Sequence, residues 1–397
     1  MSQPHTRARR ADPPPIPRIE GPAASIAAEA PGPRPWTRDR IVHGIRRRGG
    51  LAVGVVRDRW MLPVVARSAT LASAYYLLAS GAFRREHAAT LAGRLRYREQ
   101  ERTLAGHEYL LRRNIHMLEK GLVMRPRRPV FALEYIDATV RTYAAMRASW
   151  ASDPDSVDPT QLRWAHDVLA TYFEAAGTHR TIEKVRAKWD AIAPFAPTPE
   201  ALPGELLAPY HRELAEPPPV AYDAMLRLAQ RRRSVRWYLP TPVPRELIDR
   251  ALEVAALSPS ACNRQPFEFR IFDDPAEIAR VAAVPKGTRG FAQGFPAFAV
   301  VVGRMRAFFS ERDRHLIYID GALASMSFVL ALETLGLSSC CINWADEAEQ
   351  EREMSRLLRL APDERAVMCI AFGYPDPDAM VPFSEKRPLD RLRRYGT

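Results

Sequence analysis

The chain is poor in the residues that announce the commonest chemistries. Its four cysteines, Cys262, Cys340, Cys341 and Cys369, show no CxxC spacing, so a thiolate zinc site finds no ligand pairs and no disulfide framework is indicated. That usage fits a reducing cytoplasm. Adjacent Cys340 and Cys341 sit in an apolar stretch and read as small buried hydrophobes. The motifs GxxxxGK[ST], HExxH and GxSxG do not occur, which leaves P-loop, zincin and serine-hydrolase chemistry without their usual residues. The opening stretch, "MSQPHTRARRADPPPIPR", lacks the apolar core of a secretory leader. The nearest approach to a membrane span, "WMLPVVARSATLASAYYLLASGAF" (60–83), carries Arg67, and a central arginine costs roughly 2.5–3.5 kcal/mol in a bilayer. It reads as one or two packed helices, with peripheral membrane contact as the lesser alternative. No internal repeat is seen.

Arginine is abundant. The 397 residues carry a net charge of +12, which permits attraction to nucleic acid, anionic lipid or phosphorylated small molecules. The first sixty residues hold twelve arginines against five acids, with no lysine. With so much alanine and proline beside it, this arginine excess reads as codon bias rather than arginine chemistry. Residues 1–50, rich in Pro, Ala, Gly and Arg, read as a disordered basic tail. Residues 51–192 show apolar spacings of three and four and read as an all-helical region. Within it, Asp158 before Pro159 is an N-cap signal and Gly177 a C-cap signal. His116 and Glu119 stand one helical turn apart, but one such pair lacks the other ligands of a metal site. The basic turn Arg125–Arg128 that follows either receives an anionic ligand or faces solvent. The proline-dense stretch 193–220 reads as a linker.

After residue 220 the pattern changes. "PRELIDRALEVAAL" (244–257) is an amphipathic helix with Pro244 near its first turn. "FEFRIFDD", "PAFAVVVG", "SSCCINW" and "AVMCIAFGYP" read as strands separated by helices, the last helix being the apolar "DGALASMSFVLALETLG" (320–336). Such alternation implies a layered α+β or α/β domain over 221–397.

Four stretches carry candidate chemistry. In "RRRSVRWYLP" (231–240) the cations are compact and follow a short helix. Nucleic-acid binding would want basic residues spread along a face with stacking aromatics. A grip on one phosphate would want clustered, charge-assisted donors, and a solvated charge run remains the plain reading. "SPSACNRQP" (258–266) is a turn of small side chains that lets a flat ring approach the main chain, with Asn263 and Gln265 offering amide donors and acceptors; the plain reading is a helix-to-strand turn. "SCCINW" (339–344) is a strand running into a loop, and "SEKRPLD" (384–390) is a basic stretch near the C-terminus.

Taken in order, "RRRSVRWY", "SPSACNRQP", "DGALASMSFVLALETLGLSSCCINW" and "GYPDPDAMVPFSEKRPLD" resemble the nitroreductase family of FMN-dependent oxidoreductases over roughly 221–397. The resemblance implies a mixed sheet flanked by helices, preceded here by the all-helical region and the basic tail. It implies FMN as cofactor, NAD(P)H as reductant and a small-molecule acceptor such as a nitroaromatic, quinone or enone-like compound, with ping-pong use of one slot. By resemblance, Arg232, Arg233, Ser234 and Arg236 hold the ribityl phosphate and flavin edge, joined by Lys386 and Arg387. Pro259, Ser260, Ala261, Asn263 and Gln265 line the flavin bound mainly by the other subunit. Asn343, flanked by Ile342 and Trp344, presents a backbone N–H to flavin N5. Many members have an acidic residue and then Gly where Asn343 and Trp344 stand, and Ser384 stands where some have a base. The helix 320–336, with its small residues, implies a homodimer. A non-catalytic scaffold that docks a partner or membrane through the helical region is the alternative. Nucleic-acid binding ranks last, because no recognition module accompanies the charge.

Overall fold

A computed structural model describes residues 61–103, 107–192, 206–212 and 216–396. The expected basic tail, 1–50, lies outside the described residues. The chain divides into two compact units with the boundary between Arg84 and Arg85. In the first, the described residues form a one-turn helix α1 (Leu62–Val65) and the apolar helix α2 (Ala69–Leu78). Neither has a fully buried side chain among the described residues; Tyr76 meets Tyr75 and Phe83 edge to face.

Helix α3 (Arg84–Thr103) begins at the boundary and lies almost wholly in the second unit, and the helical pattern of 87–122 resumes as α4 (Glu108–Val123). Helices α5 (Ile136–Ser152), α6 (Pro159–Ala175) and α7 (Arg180–Asp190) follow. Their core follows the 3.6-residue period: Leu111, Ile115 and Leu118 of α4 meet Val140, Tyr143 and Met146 of α5 and Leu162, Val168 and Tyr172 of α6, all essentially inaccessible. Asp158 caps α6 by accepting from the Thr160 N–H at 2.9 Å, with Pro159 in the first turn. The proline-dense segment, where described, is irregular. Its Leu207 N–H donates to the buried Asp167 carboxylate at 2.9 Å, and Ala208 enters the helical core.

Beyond it come α8 (Tyr222–Arg231), α9 (Arg245–Ala256), β1 (Phe267–Phe272), α10 (Pro275–Ala282), β2 (Ala297–Arg304), α11 (Leu316–Thr334), β3 (Ser338–Asn343), α12 (Ala348–Leu358), β4 (Glu364–Gly373) and a final turn, α13 (Leu389–Leu392). The strands lie in the order β1-β2-β4-β3 with antiparallel ladders, and one parallel bridge joins Ser234 to Ser339. Alternate residues feed two cores. On one face Phe298, Val300, Val302, Ile342 and Cys369 meet α10, α12, Val235 and Tyr238. On the other, Ala299, Val301, Ile370 and Phe372 meet α9 and α11. The result is helix on sheet on helix, a three-layer α+β arrangement.

The same alternation separates the adjacent cysteines: Cys340 is buried in the first core while Cys341 is exposed. Both were expected to be buried; Cys341 turns to the opposite face on the edge strand, where the second core does not cover it. By length and composition the stretch Glu311–Thr334 is long and apolar enough to cross a membrane; half of its most apolar window is buried in the fold.

Candidate functional site

Helix α8 ends where Arg232 turns out of helical geometry, its N–H still donating to the Leu228 carbonyl at 3.0 Å. The chain then runs extended along β3. The Val235 N–H donates to the Ser339 carbonyl at 3.1 Å. The buried Tyr238 hydroxyl sits 2.7 Å from the Val235 carbonyl and 3.1 Å from that of Ala371. The Leu239 N–H donates to the Tyr374 carbonyl at 2.9 Å, and the Asp376 N–H to that of Trp237 at 3.1 Å. The cationic segment is therefore stitched both to β3 and to the chain leaving β4.

Within it, Arg231 pairs with Glu333 at 3.5 Å. No carboxylate pairs with Arg232, Arg233 or Arg236 among the described residues. Arg233 donates to the Arg232 carbonyl at 3.2 Å, and Arg236 donates to the Ser234 carbonyl at 3.3 Å while its guanidinium lies 5.8 Å from the Phe291 ring centre. Burial raises the pKa of the Cys340 thiol, with Arg236 and Arg232 pulling the other way.

β3 is an edge strand. Because Ser339 turns its carbonyl away from β4 to receive Val235, the residues two and four further on, Cys341 and Asn343, turn their N–H and C=O groups to the same open edge. The span from Ser339 to Asn343 is about 13 Å at 3.3 Å per residue. Past it, Asn343 and Trp344 line a cavity of about 120 Å³ with Pro285, Lys286, Gly287 and Glu347. Lys286 forms an ion pair with Glu347 there. The Trp344 indole N–H donates to Glu351, which also forms an ion pair with Arg365 at 2.9 Å. Ile342 is buried in the sheet core, and by the same alternation its main-chain groups face β4, so it offers the open edge neither side chain nor backbone.

The 258–265 turn is held by other elements. The Ser258 hydroxyl meets that of Ser327 on α11 at 2.7 Å, and the Ala261 N–H donates to the buried Asp320 carboxylate at 3.0 Å. Burial raises the pKa of Asp320 against that bond. The Gln265 N–H donates to the Ser260 hydroxyl at 3.0 Å. Cys262, Asn263 and Gln265 have φ of 52°, 51° and 49°, a left-handed geometry that costs a non-glycine residue about 1–2 kcal/mol each. Arg112 of α4 clamps this strained turn: it donates to the Asn263 carbonyl at 2.9 Å and to Gln265 Oε1 at 3.0 Å, and lies over the Trp164 ring. Gln265 Nε2 donates in turn to the Ala256 carbonyl at 3.3 Å. The Gln265 amide is thus engaged at both ends, while the Asn263 amide has no partner among the described residues. Pro259 is exposed.

The structure therefore gathers Arg232, Arg233, Ser234, Arg236, Ile342, Asn343 and Trp344 along one strand edge. It places Pro259, Ser260, Ala261, Asn263 and Gln265 on a separate turn carried by α11 and α4. Lys386 and Arg387 are exposed and make no bond to the arginine segment among the described residues. Sequence reasoning missed Arg112, which looks like any arginine on an amphipathic helix. It also missed Asp320, whose signal was available: a lone acid inside the apolar run "LIYIDGALASMSF". The His116–Glu119 pair proves internal. Their side chains meet at 3.2 Å and Glu119 also receives the Trp164 indole at 2.9 Å, and no metal-competent cluster occurs among the described residues.

The C-terminal part of the chain is thus an α+β domain, a helix-flanked antiparallel sheet with a cluster of arginines along its free edge. Residues 229–289 and 285–374 match the model of the Nitroreductase family, and that part of the chain is a member of it. Iodotyrosine deiodinase 1 of Pongo abelii is 22% identical over 193 residues, covering 42% of this chain and 66% of the relative. The match thus spans just under two thirds of that relative's length. A protein of Archaeoglobus fulgidus, whose name couples NADH dehydrogenase with NAD(P)H nitroreductase, is 26% identical over 154 residues, covering 38% of this chain and 86% of the relative. A solved FMN-dependent nitroreductase from Clostridium difficile R20291 is 22% identical, with 44% of this chain and 99% of that one covered and a TM-score of 0.37.

Proposed function

We propose that the C-terminal part binds FMN along the open edge of β3 and acts as an oxidoreductase in which NAD(P)H and a small-molecule acceptor use one slot in turn. The observation that carries this reading is the pairing of uncompensated arginines with outward-facing backbone donors on one strand edge. Arg232, Arg233 and Arg236 lack carboxylate partners and suit a phosphate dianion, which wants charge-assisted and often bidentate donors. Bound FMN would supply hydride chemistry. Cys341 and Asn343 would offer main-chain N–H groups to a flat ring, and Asn343 is the residue assigned to flavin N5. Trp344, fixed by Glu351, would bound the slot and limit acceptor size. Lys386 and Arg387 would join the phosphate grip from the C-terminal tail. The deiodinase relatives add halogenated aromatics to nitroaromatics, quinones and enones as acceptor classes.

The second half of the site would come from a second copy. α11 exposes Ile319, Leu323 and Met326 in one stripe, and Leu257 at the end of α9 is 85% exposed. That apolar face and the Asp320-held turn would meet the partner's β3 edge in a homodimer. The four unpaired thiols suit a reducing cytoplasm.

The test is to titrate the purified protein with FMN by flavin fluorescence and then mix it with NADH or NADPH in stopped flow. The expected outcome is saturable binding, weakened at least about tenfold in Arg232→Ala, and flavin bleaching by one nicotinamide. No binding, or an Arg232→Ala variant equal to wild type, rejects the reading; flavin that binds but is never reduced points to the scaffold alternative.

A further inference from the structure

The basic turn after α4 has no role in the site above. Beside it lies a cavity of about 310 Å³, lined by Gly121, Met124, Arg128, Phe131, Ala132 and Tyr135 among others. That is the lower end of the volume range of small-molecule pockets.

Its walls are fixed. A Cβ on Gly121 would stand 2.3 Å from the Phe131 ring, so only glycine lets that ring lie against α4. The Phe131 carbonyl accepts from the Tyr172 hydroxyl at 2.9 Å, and the two rings meet edge to face at 5.0 Å. Ala132 has φ of 65°, a left-handed turn that no glycine relieves, closed by the Tyr135 and Ile136 N–H groups on its carbonyl at 3.1 and 2.9 Å. The Gly177 N–H ties the end of the basic turn through the Pro129 carbonyl at 2.7 Å.

The lining combines two unsatisfied tendencies. Met124 is 58% exposed beside two aromatic rings. Arg128 on the rim, and Arg125 and Arg127 in the same turn, have no carboxylate partner among the described residues. Glu134, the nearest acid in sequence, is exposed and does not line the cavity. Apolar walls under a cluster of free guanidinium groups complement a ligand with a flat apolar body and one acidic group.

We propose that this cavity binds a small aromatic anion, a carboxylate or sulfonate, with its ring between Met124, Phe131 and Tyr135 and its acid on Arg128. The site is independent of FMN. It is tested on the full chain kept in excess FMN, so that a flavin site cannot capture the probe. Isothermal titration with 1-naphthoate is expected to show one saturable site per chain. Binding should weaken at least about tenfold in Arg128→Glu, less in Arg128→Lys, and at least about tenfold for the neutral analogue 1-naphthalenemethanol. Arg128 is exposed, so its variants should melt with the wild type, which circular dichroism checks. Absence of saturable binding, equal binding to Arg128→Glu, or equal binding of the neutral analogue overturns the proposal. So does co-sedimentation with phosphatidylserine vesicles that Arg128→Glu abolishes while naphthoate fails to bind, which would assign the patch to a lipid surface.

Discussion

Replacing Arg112 with Met should loosen the 258–265 turn from a distance. The change removes two hydrogen bonds to the turn from a charged donor, to the Asn263 carbonyl and to Gln265 Oε1, along with a longer one to Gln161 Oε1 within the helical layer. Such bonds contribute about 1.5–3 kcal/mol each when buried. Water can replace part of that in a half-buried site, so a net local loss of about 2–4 kcal/mol is expected. Three left-handed residues stand ready to relax once the clamp is gone. The readout is amide hydrogen exchange at Ala261 and Gln265, whose N–H groups are held by Asp320 and by the Ser260 hydroxyl. A loss of 2–4 kcal/mol corresponds to exchange faster by roughly 30- to 1000-fold. Arg112→Lys, which keeps the charge without the planar fork, should fall between. FMN affinity should drop alongside if the turn serves the flavin. Unchanged exchange at both amides in Arg112→Met would refute the clamp.

Two further outcomes are expected. His107 is fully buried with neither ring nitrogen hydrogen-bonded among the described residues, and burial lowers its pKa from 6.5 to about 4. A depressed base keeps the native ring neutral while the unfolded one protonates, so stability should fall as pH drops from about 6.5 toward 4, by about 2–3 kcal/mol; urea midpoints across that window should slope in wild type and flatten in His107→Phe, and equal slopes would exclude the assignment. Leu323→Glu places a charge in the exposed stripe of α11, and sedimentation should show a dimer lost to monomer with the far-ultraviolet spectrum unchanged, whereas an unaltered mass would remove this face as the seam.

The order of elements after residue 220 was legible because each segment carries a local signature. Asp274 caps α10 by accepting from the Ala276 and Glu277 N–H groups, and the buried strand "AVMCIAFG" needs no partner to announce itself. The arginine segment was legible as a charge cluster. Its stitching to Ser339 and Tyr374 was not, since those bonds join main-chain groups far apart in sequence that every residue possesses. The grip of Arg112 on Asn263 was hidden for a related reason: it crosses 151 positions and depends on how the helical layer docks. Strand alternation indicated that Cys341 faces away from Cys340, but its exposure depends on where the second core ends at the edge strand, which the sequence does not mark. Composition obscured even the alternation, because a cysteine pair among apolar neighbours looks uniformly interior.

The fastening of the arginine segment at both ends divides the site into a static and a yielding side. Swinging those cations outward would strip main-chain bonds from β3 and from the stretch after β4 together, along with the buried Tyr238 hydroxyl. The opposite rim, 285–287 against 344–347, is tied by an exposed Lys286–Glu347 pair, a link worth about 0–1 kcal/mol. Breathing should therefore begin at that rim, beside Trp344, while the anchored end stays put.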